Sequence, residues 1–217
     1  MKRRLPHAFT LIEMVTVVAV IIVLAGMVIS VSGYVQNKGA REKTTAQLKN
    51  LQLQCEAYKV DNGTYPRDDK ATPCPSDVLD PRIHFSPVSG SSAPLYINSC
   101  RYLYSALSGD FEPAAAPDGQ AEEHVYYAFK RDELNFAKNG DGSIKTVRFI
   151  QDPFGNCYGY STAAATQEAE YRKKLRENPT EPRPSQQQGY NPTYDLWSTA
   201  GGTSQTATGK WIKSWGS

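Results

Sequence analysis

The sequence predicts an α+β fold: one long N-terminal helix, transmembrane in its first half, packed on a small antiparallel β-sheet. Three observations predict it. Leu11–Val31 is an almost unbroken apolar run. Thr44, Leu48, Leu51, Cys55 and Tyr58 then recur at spacings of four and three, the period of one helix face. Beyond Pro66 the pattern changes to short alternating or apolar segments between turn residues.

Composition narrows the class. A chain of 217 residues admits one or two domains. Gly 16 and Pro 14 are ordinary usage, which excludes collagen-like and wholly disordered chains. A hydrophobic share of 40% excludes a polytopic membrane protein but not a single span. The net charge of +2 is too small to argue for nucleic acid, so none is expected as a partner. Lys2, Arg3 and Arg4 hold three of the 24 basic residues, leaving 21 against 22 acids in the rest of the chain.

The first element is an anchor. Within Val15–Val31 the only polar side chains are Thr16 and Ser30. At about 1.5 Å per residue, some 20 residues cross a hydrocarbon core of about 30 Å. A secretory signal has a shorter apolar region, about 7–15 residues, followed by a small-residue cleavage site. No such site follows cleanly before Gly33, so the span is expected to stay on the protein. The compact, acid-free cluster Lys2-Arg3-Arg4 favours a cytoplasmic N-terminus over the more mixed Lys38, Arg41, Glu42 and Lys43 beyond the span. The bulk of the chain then lies outside the cytoplasm. Glu13 breaks the run, and a carboxylate in such a place is costly and usually functional; the plain alternative is a shallow side chain that snorkels to headgroup water.

The helix is expected to continue to Asn62, with Lys43, Gln47, Lys49 and Asn50 on the face opposite the stripe. Gly63 suits the left-handed residue after a helix end, and Pro66 prevents continuation. Asp68–Pro94, rich in Pro, Ser and Asp, reads as loop, and so does Phe111–Gly119. Arg101–Leu107 reads as a short helix ended by Gly109. His124–Phe129 and Ile144–Ile150 read as strands, with Asn139-Gly140-Asp141-Gly142 as the turn between them. Cys157–Tyr160 and Tyr194–Trp197 are further strands. Thr166–Arg176 reads as a helix, and the Pro/Gln-rich Asn178–Asn191 as an exposed, mobile insertion.

Candidate chemistry is sparse. Glu122-Glu123-His124 has no second His or Cys at ligand spacing and reads as a charge cluster at a strand edge. Tyr96, Tyr102, Tyr104, Tyr126 and Tyr127 read as core-packing aromatics before they read as a binding surface. No G-x-S-x-G, P-loop or H-E-x-x-H pattern occurs, and no enzyme activity is expected. The four cysteines allow three full pairings. Cys55 and Cys157 fall in a helix stripe and a strand, as buried free thiols do. Cys74 and Cys100 fall in loop-like sequence and are the candidate disulfide for an exported domain.

Ala8-Phe9-Thr10-Leu11-Ile12-Glu13, after a short basic leader, resembles the processing signal of type IV pilins and type II secretion pseudopilins. The family pattern is Gly-Phe-Thr-Leu-Ile-Glu, so Ala8 departs from it at the residue before the cut. Tyr58–Pro66 resembles the end of the long pseudopilin helix, and Asp152–Tyr158 and Tyr194–Ser198 its C-terminal sheet. Trp211 and Trp215 resemble the family's Trp near the chain end. These matches point to the major pseudopilin of type II secretion or a close relative. Asp68–His124 and Ser161–Asn191 lie outside the resemblance.

The resemblance implies cleavage between Ala8 and Phe9 by a prepilin peptidase, N-methylation of Phe9, and a filament role for Glu13. It implies a leader at 1–8, a transmembrane helix and filament core at 9–33, the periplasmic half of the helix at 34–62, and a globular domain at 63–217 with insertions near 68–124 and 161–191. The implied partners are the peptidase, further copies in a helical filament, minor pseudopilins, the inner-membrane assembly platform and membrane lipid. Family members hold Ca²⁺ in the loop after the strand that Tyr194–Ser198 resembles. Calcium needs six to eight oxygens. Thr199–Gly209 contains no Asp or Glu, so that site does not carry over, and neither metal nor cofactor is expected. Two other readings stay open: a minor pilin of a pilus or DNA-uptake filament, and a membrane-tethered periplasmic enzyme or binding protein.

Overall fold

The computed structural model describes residues 10–68, 70–111 and 124–216, with the side chains of 28–32 left aside. It is mixed α and β. The chain falls into two compact units, Met1–Ala40 and Arg41–Ser217, and α1 (Leu11–Asn62) contributes to both.

Over Leu11–Met27, in the first unit, α1 is apolar except for Glu13 and Thr16. Each large apolar side chain described from Leu11 to Met27 is between 53% and 84% exposed. Among the described residues no helix is long and apolar enough to cross a membrane. The described side chains of the apolar run end at Met27, and 28–32 lie outside them.

In the second unit α1 has one buried face. Thr44, Leu48, Leu51 and Cys55 are buried there, as the spacing predicts. The helix ends where Gly63 adopts φ 75° and its N–H bonds Lys59 O at 2.8 Å. Only a residue without Cβ takes this conformation at little cost.

The segment expected as loop over Asp68–Pro94 holds a one-turn helix, α2 (Pro75–Val78), and the start of α3 (Ser92–Ser108). The expected Arg101–Leu107 helix is therefore only the second half of α3. Pro94 does not prevent this, because the N–H that proline lacks has no intrahelical partner in a first turn. Tyr96, Cys100, Leu103, Tyr104 and Leu107 form the buried face of α3. Gly109 caps it in the left-handed conformation at φ 75°.

The sheet is divided in two. β1 (Leu134–Lys138) pairs antiparallel with β2 (Ile144–Ile150) across the expected Asn139–Gly142 turn. The strand expected at His124–Phe129 does not form. The N–H groups of Tyr126 and Tyr127 both bond Leu107 O at 2.9 Å, satisfying a carbonyl that the end of α3 leaves unpaired. A second sheet joins β3 (Gly159–Ser161), β4 (Asp195–Ser198) and β5 (Ile212–Lys213), with β4 in the centre. Between β3 and β4 stands α4 (Ala163–Glu177), as its composition predicts.

One core serves the second unit. Leu48, Leu51 and Cys55 of α1 join Leu103 and Leu107 of α3, Val147 and Ile150 of β2, and Tyr160, Leu196 and Trp197 of the second sheet. Trp197 is the largest fully buried side chain. Its indole N–H donates to Tyr96 Oη at 3.0 Å, and Tyr96 donates in turn to His84 O at 2.8 Å. Trp211 stacks on it at 6.1 Å between ring centroids. Tyr96 and Tyr104 are buried in this core rather than displayed on a surface.

The 178–191 insertion is docked on α4 and neighbouring turns. Gln167 donates to Gln186 O at 2.8 Å and accepts from Gln188 N–H at 3.1 Å. Arg183 pairs with Glu168 at 3.0 Å. Gly189, the buried residue of the segment, donates its N–H to Asp80 Oδ1 at 3.1 Å, and Arg82 Nε donates to Gly189 O. Asn178–Asn191 is thus exposed along most of its length, as composition suggested, but joined to the domain by these bonds.

Candidate functional site

The start of α1 is the first candidate. Ala8 and Phe9, the expected processing residues, lie outside the described residues. Glu13 is described, and it is engaged locally. Thr10 donates its backbone N–H to Glu13 Oε2 at 2.9 Å and its hydroxyl to the same oxygen at 2.8 Å. Glu13 N–H donates back to Thr10 Oγ1 at 3.3 Å. This reciprocal pattern is a capping box, in which a Thr at the helix start and a Glu three residues on satisfy each other's backbone donors. The Thr10-x-x-Glu13 spacing is a local signal for it, one that hydropathy patterning does not register. Glu13 therefore has a structural use within one chain, and around it every large apolar neighbour is exposed. Such a surface is stable only when lipid or other apolar side chains cover it.

The cysteines are redistributed. All four are free and buried. Cys74 precedes α2 with its thiol 3.2 Å from Ser76 Oγ. Cys100 is in α3, not in a loop, because the helix begins at Ser92. Its thiol donates to Ile150 O at 3.5 Å. The expected Cys74–Cys100 bond is not present. Burial first, and then the Cys100 thiol, push the thiol of Cys157, just before β3, well up.

No family model, curated protein or solved structure matches this chain. Chemistry must therefore be read from the residues themselves.

Asp195, the one acid near the Thr199–Gly209 loop, is buried and accepts the N–H groups of Tyr190 at 2.7 Å and Asn191 at 2.9 Å. Burial, with the Asp80 charge as a further contribution, pushes its carboxyl up to about 6. A carboxyl so engaged is a brace for the turn before β4. Among the described residues no group of three or more His, Cys, Asp or Glu stands together as metal ligands do.

A cleft of about 820 Å³ runs between α4, the 67–78 segment and residues 181–188. Asp77 is among the residues that line it. Arg67 Nη2 donates to Asp77 Oδ2 at 2.7 Å, and Thr162 and Thr166 donate to Oδ1 at 2.7 and 2.8 Å. Partial burial opposes ionisation of Asp77, but these bonds outweigh it and hold the carboxyl below its ordinary range. Both oxygens are committed, so the group acts as a strut between α2 and α4.

Proposed function

We propose that this chain is a structural subunit of a type II secretion pseudopilus, a polymerising protein rather than an enzyme. In this reading a prepilin peptidase cuts between Ala8 and Phe9 on the cytoplasmic side, and the Phe9 amine is methylated. The Leu11–Val31 helix crosses the bacterial inner membrane once, with the domain in the periplasm. An assembly platform then adds the subunit to a helical filament of further copies and minor pseudopilins, which drives protein export.

The observation that carries the reading is one helix, Leu11–Asn62, with two surfaces. Its first part exposes apolar side chains all round a lone carboxylate, and its second part buries a single stripe in a folded domain. An enzyme tethered to a membrane needs the first and can use Glu13 as the partner of Thr10, but has no use for its charge. A filament whose subunits shed lipid for each other uses both. The motif residues add support: Gly63 ends the helix, and Trp197, Trp211 and Trp215 cluster in the C-terminal sheet.

The test is the N-terminus of the membrane-extracted protein, read by mass spectrometry. A chain beginning at methylated Phe9 is expected, and a chain retaining Met1 would leave the tethered-protein reading. Ala8→Gly should process at least as fully as the native chain, and Ala8→Leu should accumulate precursor. Deletion then separates filament types. Lost export of secreted enzymes is expected, whereas lost twitching or DNA uptake would indicate a pilus subunit.

A further inference from the structure

The filament reading makes no use of the four buried thiols, and two of them lie at one crossing of the chain. Cys157 follows the turn at 152–156 and donates its thiol hydrogen to Tyr96 O at 3.4 Å, one helical turn before Cys100. Cys100 donates to Ile150 O at 3.5 Å, the carbonyl that also accepts the N–H of Tyr158 at 3.3 Å. Backbone pairing of Gln151 with Cys157 holds this crossing of β2, α3 and β3 in register. Each thiol hydrogen is thus turned to a carbonyl of this crossing, that of Cys100 to Ile150 and that of Cys157 to Tyr96. Cys74 is spent on Ser76, and Cys55 lies in the α1 stripe.

We propose that Cys100 and Cys157 are a disulfide in the exported domain, linking α3 to the start of β3; this rests on the periplasmic placement proposed above. Disulfides persist in oxidising compartments. The reaction needs an oxidant of the thiol–disulfide class. One cysteine thiolate attacks its disulfide, forming a mixed disulfide and releasing one thiol. The second cysteine thiolate displaces the other thiol. Two protons and two electrons leave the protein, and the oxidant becomes two thiols. Burial keeps Cys157 protonated once the domain is folded, so the bond closes during folding, while both sulfurs are still accessible.

Peptide mapping tests the pairing, because each cysteine lies on its own tryptic peptide: Asn50–Lys59, Ala71–Arg82, Ile83–Arg101 and Phe149–Arg172. The full-length chain is reduced and unfolded, refolded in detergent with oxidised and reduced glutathione, alkylated and digested. The expected product links Ile83–Arg101 to Phe149–Arg172, with Cys55 and Cys74 alkylated. Cys74→Ala should retain that link and Cys157→Ala should abolish it. Since Cys157→Ala removes a buried side chain, the wild-type map decides if that variant misfolds. A fully alkylated wild type, or a link through Cys74, overturns the pairing. The same map is made on protein taken directly from cell membranes. A link formed in vitro but absent in cells overturns the periplasmic placement and leaves the pairing intact; absence in both overturns the pairing.

Discussion

The indole of Trp197 fills the space in which a side chain at Gly159 would stand. A Cβ built on Gly159 would lie 2.2 Å from Trp197 Cε2 and 2.3 Å from Cζ2. The two residues are cross-strand partners in β3 and β4. The ring cannot retreat, because Tyr96 holds its N–H and Trp211 stacks on it. Gly159→Ala should therefore destabilise the domain by about 1–3 kcal/mol, the range for overpacking a filled core. Urea unfolding followed by tryptophan fluorescence measures it. A wild-type midpoint would mean that the sheet can spread to admit the methyl group.

A second contact joins α1 to the residues just before β1 and β3. Gln47 Nε2 donates to Glu133 Oε1 at 3.2 Å, and Tyr158 donates its hydroxyl to Gln47 Oε1 at 2.9 Å. Glu133 is buried, and it also accepts from Tyr127 Oη at 3.1 Å and from Lys130 N–H at 3.0 Å. Gln47→Leu keeps the size of the side chain but leaves the Tyr158 hydroxyl and one Glu133 bond unmet. Unmet buried polar groups cost about 1–3 kcal/mol each. The variant should lose about that much stability in urea, and Gln47→Glu, which sets a second carboxylate against Glu133, should lose more.

Gln47 also marks what sequence patterning could reach. Local signals were legible: the Leu48, Leu51 and Cys55 stripe, Gly63 at the helix end, the Asn139–Gly142 turn, β2 and α4. Each depends on neighbours within a few residues. Gln47 looked like a solvent-facing residue, because its partners Glu133 and Tyr158 lie far along the chain. His124–Phe129 reads as a strand by its local pattern, but the N–H groups of Tyr126 and Tyr127 go to Leu107 O, a long-range acceptor. The common location of Cys100 and Cys157 depends likewise on how α3 crosses β3. The Thr10–Glu13 cap is different, since its spacing alone is enough to specify it.

Asp195 makes stability depend on pH. Burial raises its folded-state value to about 6, against about 3.9 for an unfolded Asp. A raised carboxyl favours the folded state in its protonated form. Its contribution is complete below about pH 4 and is lost as pH rises through about 6, an effect on the order of 2–3 kcal/mol. Asp152, raised by burial, acts in the same direction, and Asp77, held low, acts in the opposite one. Comparison with Asp195→Asn isolates the single group. Between pH 4 and 6 the urea midpoint of the native domain should fall relative to that of the variant. Parallel profiles would show that Asp195 titrates at the same pH in both states.

Glu13 offers two properties to an assembling helix, and they can be separated. Its carboxylate closes the capping box with Thr10, and it carries a formal charge. In the filament reading, cleavage gives Phe9 a positive amine four residues away. Within one subunit the two charges compensate in part. Between subunits, the amine of an incoming chain meets Glu13 of its neighbour in a low-dielectric core, where attraction is stronger and can set axial register. Glu13→Gln preserves the cap, because Gln also closes this motif, but it removes the charge. Glu13→Ala removes both, and Glu13→Asp keeps the charge with a shorter reach. All three variants should insert and be cut before Phe9, since the peptidase meets the residues around the bond. If charge governs assembly, Gln and Ala should both abolish fibres, and Asp should give an intermediate yield. If the cap governs assembly, Gln should assemble like the native chain and only Ala should fail. Processing is scored by N-terminal mass, and assembly by fibre yield on overexpression. The charge account expects the Gln and Ala variants to behave alike, and native fibre yield from Glu13→Gln would end it.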